Sequence, residues 1–212
     1  MASWIFFDND GVLVETEPLY RDATRAVLAE HGLTLSDAEY VEWFMRQNQG
    51  LLHVGRTQGW TAETLADMRA RRNALYARML ARAPLAIDGV AEMLEALHGR
   101  ARLAIVTSSR RDHFDIIHGR TGWLRYFDFV LASGDYTASK PDPAPYLAAV
   151  ARSGADPAAC VVIEDSERGL AAAVAAGLRC VIVPSRLTRG SRFEGAWRVL
   201  EGVREVVDVA GL

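Results

Sequence analysis

Lysine is almost missing from this chain. Of its 24 basic residues every one except Lys140 is an arginine, and because a compact ammonium and a planar guanidinium fork are not interchangeable, the exception marks a position to follow. Cysteine is nearly as scarce. Cys160 and Cys180 each open an apolar stretch that reads as a strand, with no partner at metal-ligand spacing, so both are expected to be reduced core residues. No apolar run approaches the roughly 20 residues of a membrane helix, and the first residues lack the pattern of a signal peptide. A cytoplasmic protein with no membrane partner is expected. The formal net charge is only -3, and with no basic stripe interleaved with aromatics, no nucleic-acid partner is expected either. The densest basic cluster, Arg69-Ala70-Arg71-Arg72, falls at helical spacing and reads as a solvated face. Repeats and low-complexity tracts are absent.

What is there is an ordinary globular balance, 50% hydrophobic and 24% charged, in a chain of 212 residues. That length suffices for one substantial core and a smaller accessory domain. The stretch Trp4-Ile5-Phe6-Phe7-Asp8-Asn9-Asp10-Gly11 organises the rest: an apolar run buried on both faces, as in a central parallel strand, stops abruptly at two carboxylates. Successive residues of an extended chain point to opposite sides, so Asp8 and Asp10 can face one spot while Asn9 points away. Two acids in one crevice repel unless a cation or proton lies between them, and a hard divalent cation, Mg2+, is the natural occupant.

After Val14 the pattern turns helical. Glu17 to Glu30 carries apolar residues near the 3.6 period, Ser36-Asp37-Ala38-Glu39 is a capping box that opens a helix through about Gln47, and Thr61 caps a long helix over 62–82. This all-helical insertion, residues 16–83, is read as a cap domain. It interrupts an α/β core, 1–15 and 84–212, in which strand and helix signals alternate: strands at 102–106, 129–131, 160–163 and 180–183, with helices between them. The fold class expected is therefore α/β, a Rossmann-like parallel sheet with an inserted helical cap. Trp123-Leu124-Arg125-Tyr126-Phe127 suits either an interface or packing under a loop, and a monomer or weak dimer is expected.

Strand ends deliver, in chain order, Asp8 and Asp10, then Thr107 and Ser108, then Glu164 and Asp165, with Lys140 on a loop before a helix. Each suits phosphoryl transfer. A carboxylate can attack phosphorus and split one hard displacement into two, which is the role for Asp8; a second acid can protonate the leaving oxygen and then take a proton from water, which suits Asp10. Lys140 and the donors at Thr107 and Ser108 would compensate phosphoryl charge, with Glu164 and Asp165 completing the oxygen shell of Mg2+.

The stretches D-N-D-G-V-L-V, V-T-S-S, S-K-P-D-P and I-E-D-S-E-R-G-L-A-A-A-V-A-A-G resemble, in order, the four motifs of the haloacid dehalogenase-like superfamily, and the likeness spans the chain. The insertion after the first motif is similar to the helical cap of the subfamily that includes β-phosphoglucomutase and many small-metabolite phosphatases. The resemblance implies Asp8 as nucleophile, Asp10 as acid/base with its backbone carbonyl on Mg2+, Thr107 and Lys140 on the phosphoryl group, and Glu164 with Asp165 at the metal. Dehalogenase members usually lack the second aspartate, and phosphonate-cleaving members need a cap lysine, which this cap does not have. Mutase members typically carry a histidine where Tyr20 stands. A Mg2+-dependent phosphatase acting on a small phosphorylated metabolite through an aspartyl-phosphate is the expectation, with a sugar-phosphate mutase as alternative and a non-catalytic binding protein behind it. Tyr20, Arg46, Asn48, His53 and Arg56 are the candidates for substrate selection; His113 and His118 read as solvent-facing.

Overall fold

The structure, a computed structural model, describes residues 4–209. Contacts divide the chain into two compact units, one formed by the chain up to Glu15 and from Leu85 onward, the other by Thr16–Pro84. In the first, strand β1 (Trp4–Phe7) leads into the acidic stretch. The second unit holds α1 (Glu17–Ala29), α2 (Asp37–Tyr40), α3 (Leu51–Gln58) and α4 (Ala62–Leu80). The first unit then resumes with α5 (Val90–Leu97), β2 (Arg102–Arg110), α6 (Arg111–His118), β3 (Phe129–Ser133), α7 (Ala144–Ser153), β4 (Cys160–Glu164), α8 (Glu167–Ala175), β5 (Arg179–Ile182), β6 (Arg198–Val199) and α9 (Val206–Val209).

The strands form one parallel sheet in the order β3-β2-β1-β4-β5-β6. The fold is the expected Rossmann-like α/β architecture. Chain order reverses direction across β1, and it is outside the carboxyl ends of strands at such a switch point that open α/β sheets bind ligands. Alternate strand residues, among them Trp4, Phe6, Ala104, Val106, Val162 and Ile182, pack in one core with Tyr146 and Ala149 of α7 and Leu170, Ala172 and Ala173 of α8. Their neighbours Ile5, Phe7, Leu103, Ile105, Val161, Ile163 and Val181 are buried as well. Burial on both faces is why these strands read as unbroken apolar runs.

Strand β2 extends to Arg110, beyond the end expected at Val106, because Arg110 still pairs with Ser133 after a shift of register. Such an irregularity re-aims side chains at the end of a strand. Trp123 and Phe127 are buried, with Phe127 edge-on to Phe7 at 6.0 Å, so these two rings of the stretch pack inside while Leu124 and Arg125 are exposed.

In the second unit α1 and α4 pair through Ala23, Val27 and Leu28 on one side and Met68, Tyr76 and Leu80 on the other. The capping box at Ser36 is present, and Thr61 accepts from the Thr64 amide. The predicted single helix to Gln47 instead passes from α2 into a π-helical turn, Val41–Arg46. The arginine cluster is also not a uniform solvated face. Arg71 pairs with Glu30, whereas Arg72 is buried with its guanidinium 4.4 Å from the centre of the Tyr20 ring.

Candidate active site

Asp8 follows β1 directly, and its amide donates to the Ile163 carbonyl, so the sheet ladder continues to the residue that carries the acid. The chain then turns tightly. The Asn9 carbonyl accepts from the Val12, Leu13 and Val14 amides, and Gly11 sits at φ 85°. A side chain at Gly11 would be strained and would also overlap the Asp165 carboxylate, so glycine here admits the acid that ends β4.

Lys140 is the hub. Its Nζ lies 2.7 Å from Asp8 Oδ1, 2.6 Å from Glu164 Oε1 and 2.8 Å from the Val106 carbonyl. Three ammonium protons meet three acceptors, which a guanidinium fork could not do from one point. Glu164 is fully buried. Its Oε1 also accepts from the Tyr146 hydroxyl at 2.7 Å, and its Oε2 accepts from the Asp165 amide at 3.2 Å and Ser166 Oγ at 3.1 Å. Gly169 allows this, since a side chain there would overlap the same carboxylate.

The electrostatics follow from this burial. Desolvation pushes the Asp8 carboxyl up, and although the Lys140 ammonium opposes the rise, the Glu164 and Asp10 carboxylates reinforce it. For Glu164, burial acts upward too, but the Lys140 charge with hydrogen bonds from Lys140, Tyr146 and Ser166 holds it below the usual carboxylate range. Burial would lower Lys140; Asp8 and Glu164 outweigh it and keep the ammonium protonated.

Asp8, Glu164 and Asp165 each offer an oxygen, all within 4.8 Å of one another, and this group could hold a metal ion. Three carboxylates against one ammonium leave excess negative charge in a buried place, and an all-oxygen donor set suits a hard divalent cation. The fit is therefore good. Because both Glu164 oxygens already accept two hydrogen bonds each, Asp8 and Asp165 would be the direct ligands of such an ion and Glu164 would add fixed charge behind them.

The Asp10 carboxylate is oriented differently. Its Oδ2 accepts from Ser109 Oγ at 2.7 Å and from Thr107 Oγ1 and Asn9 Nδ2 at 3.3 Å. The Thr107 hydroxyl, expected on a phosphoryl group, is thus turned to Asp10 and also accepts from the Ser109 amide. Ser108 Oγ is buried beside the Tyr136 hydroxyl without a hydrogen bond of good geometry, so a phosphoryl oxygen would satisfy it. Ser109 and Tyr146 were not among the predicted site residues. The motif spacing of V-T-S-S marked the strand end, yet only the register shift in β2 shows that its last residue, Ser109, faces Asp10.

The structure gives the five candidates for substrate selection separate surroundings within the second unit. Tyr20 lies between the Arg72 guanidinium and the Tyr76 ring, Arg46 pairs with Glu42, and His53 stacks on Trp43 at 4.5 Å. Asn48 and Arg56 are exposed, Asn48 at φ 54°.

His113 and His118 correct a prediction: both are buried. They lie on the inner face of α6, whose apolar partners Phe114 and Ile117 already marked it. Burial lowers the His118 pKa from 6.5 to about 4, against the pull of Asp10 and Asp115. Because the folded value is depressed, stability should be full above about pH 6.5 and decline as pH falls toward 4, since the unfolded chain takes up the proton first. Urea unfolding at pH 7.5 and 5.0 should show His118 contributing a loss of about 2 kcal/mol, and His118→Gln should lose that much less than the unaltered protein.

A buried lysine, strand-end acids and hydroxyls at the switch point of a parallel sheet together define an α/β enzyme. The chain belongs to the haloacid dehalogenase-like hydrolases, whose family model matches residues 3–177. It is 36% identical over 208 residues to protein CbbY of Rhodobacter capsulatus, covering 92% of this chain and 91% of that one. It is 30% identical to fructose-1-phosphate phosphatase YqaB of Escherichia coli K12, covering 84% and 95%. Among solved structures, a variant of CbbY from Rhodobacter sphaeroides in complex with xylulose-(1,5)bisphosphate superposes with a TM-score of 0.82 at 27% identity, covering 97% and 96%. Among the described residues no helix is long and apolar enough to cross a membrane.

Proposed function

We propose that the protein is a Mg2+-dependent phosphatase of a small phosphorylated metabolite, a sugar phosphate in the first instance, working through an aspartyl-phosphate on Asp8. The observation that carries this reading is the placement of the Asp8 carboxylate on Lys140 and beside Asp165, with Asp10 two residues on and held by hydroxyls. The sugar phosphates named for YqaB and CbbY support the substrate class.

In the first step an Asp8 oxygen forms a bond to phosphorus as the ester oxygen leaves, and Asp10 gives that oxygen its proton. In the second, water attacks phosphorus, Asp10 takes the water's proton, and the bond to Asp8 breaks to regenerate the carboxylate. Lys140 keeps Asp8 in place and neutralises part of the charge that gathers, while Ser108 supplies a donor to a phosphoryl oxygen. A divalent cation held by Asp8 and Asp165, with the Asp10 carbonyl and Glu164 in support, would supply the remaining charge compensation. The helical unit of residues 16–83 is proposed as a cap that selects the ester and excludes water, with Tyr20, Arg46, Asn48, His53 and Arg56 as candidates for the selection.

Phosphate release over fructose 1-phosphate, other sugar phosphates, nucleotides, short phospho-acids and p-nitrophenyl phosphate tests this reading. Turnover of at least one sugar phosphate should fall by about a hundredfold or more after chelation and return with Mg2+. Release unaffected by chelation would overturn the metal requirement, and isomerisation of a sugar phosphate faster than phosphate release would overturn hydrolysis in favour of a mutase.

A further inference from the structure

A second buried polar chain converges on the first motif from α6. His118 Nε2 lies 2.7 Å from Asn9 Oδ1, and His118 Nδ1 lies 3.1 Å from Thr121 Oγ1. Asn9 is fully buried, and its Nδ2 lies 3.3 Å from Asp10 Oδ2. An imidazole that donates from Nε2 to the Asn9 carbonyl oxygen must accept at Nδ1, where the Thr121 hydroxyl can donate. With its oxygen so occupied, the Asn9 amide turns its NH2 to Asp10. From His118 through Asn9 to the Asp10 carboxylate the donors therefore run one way.

Burying an amide and an imidazole is costly unless both are fully paired, and an apolar residue at position 9 would pack without that demand. The ring is also fixed sideways, with Phe114 at 4.4 Å and Trp123 at 6.5 Å between ring centres. Asn9 has a further hold on the loop, since its carbonyl accepts the three amides that shape the turn after Asp10. Side chain and backbone of one residue thus set both the acid and the turn that carries it.

We infer that His118 and Asn9 are positioning residues for Asp10: His118 orients the Asn9 amide, and Asn9, with Ser109 and Thr107, holds Asp10 where it can serve the leaving oxygen. The inference rests on the proposed acid/base role of Asp10. It has a specific consequence, because a general acid matters for a poor leaving group and hardly at all for p-nitrophenolate, which departs without a proton.

The test compares kcat/KM for p-nitrophenyl phosphate with kcat/KM for fructose 1-phosphate, or for whichever alkyl phosphate of the panel is turned over fastest. It uses His118→Phe, His118→Gln, Asn9→Leu and the double variant, with thermal unfolding measured alongside. His118→Phe should lower kcat/KM for the alkyl ester by about tenfold or more and for the aryl ester by less than about threefold. His118→Gln, whose amide can still donate to Asn9, should recover most of the loss, and His118→Phe should add nothing in the Asn9→Leu background. Should His118→Phe not fold, Asn9→Leu alone is expected to give the same discrimination between esters. Equal losses on both esters, or a full His118→Phe effect in the Asn9→Leu background, would overturn the inference. Asp10→Asn, assayed in parallel, separates the two levels. If it keeps the activity of the unaltered protein on the alkyl ester, the acid/base reading fails; if it loses that activity while His118→Phe and Asn9→Leu do not, only the positioning inference fails.

Discussion

Asp8→Asn is expected to abolish phosphate release, by roughly four orders of magnitude or more, without unfolding the protein. The carboxamide keeps the shape of the side chain, and its oxygen can still accept from the Lys140 ammonium, which approaches Oδ1 at 2.7 Å. What it loses is the nucleophile. The charge it removes is one that burial, Glu164 and Asp10 all disfavour, so the thermal midpoint should stay level or rise. Activity and stability therefore move apart, and phosphate release measured beside thermal unfolding reads both. Full activity in the variant would remove Asp8 from the reaction, whereas a collapsed midpoint would mean that its carboxylate is needed to balance Lys140 in the fold.

The same burial explains what could be read from the sequence. Strands β1, β2, β4 and β5 are covered on both faces, which leaves near-continuous apolar runs, and each acid appears where its run stops. Asp8, Glu164 and Asp165 were legible for that reason, and Lys140 because almost every other cation is arginine. Strand β6 gave no such signal, since Arg198 and Val199 are both exposed and only two residues pair. The π-helical turn at Val41–Arg46 keeps a helical apolar pattern, so the predicted helix and the observed one differ only in their hydrogen bonds. Two contacts, across 99 and 109 residues, were out of reach. Ser109 reaches Asp10 through a register shift, and His118 reaches Asn9 from another element, so neither pairing has a local pattern in the chain. Asn9 itself was read as turned away from the acids; its side chain does turn inward to His118, and its amide nitrogen then returns to Asp10.

Lys140→Met should have the second large effect, and here stability and activity should fall together. The methionine fills similar volume but leaves Asp8 and Glu164 buried without their shared cation, and breaking a buried pair in this way costs about 3–5 kcal/mol. Tyr146 and Ser166 would still donate to Glu164, so collapse of the fold should be partial. Lys140→Arg is the sharper control. It restores the charge, yet a planar fork cannot direct three protons from one atom to Asp8, Glu164 and the Val106 carbonyl, and Glu164 is walled by Gly169 and Tyr146. Denaturant unfolding should place Lys140→Arg between the unaltered protein and Lys140→Met, while kcat of both variants falls by about a hundredfold or more. If arginine restored turnover, charge alone would suffice at this position, and the lone lysine of an arginine-rich chain would have no geometric reason to be there.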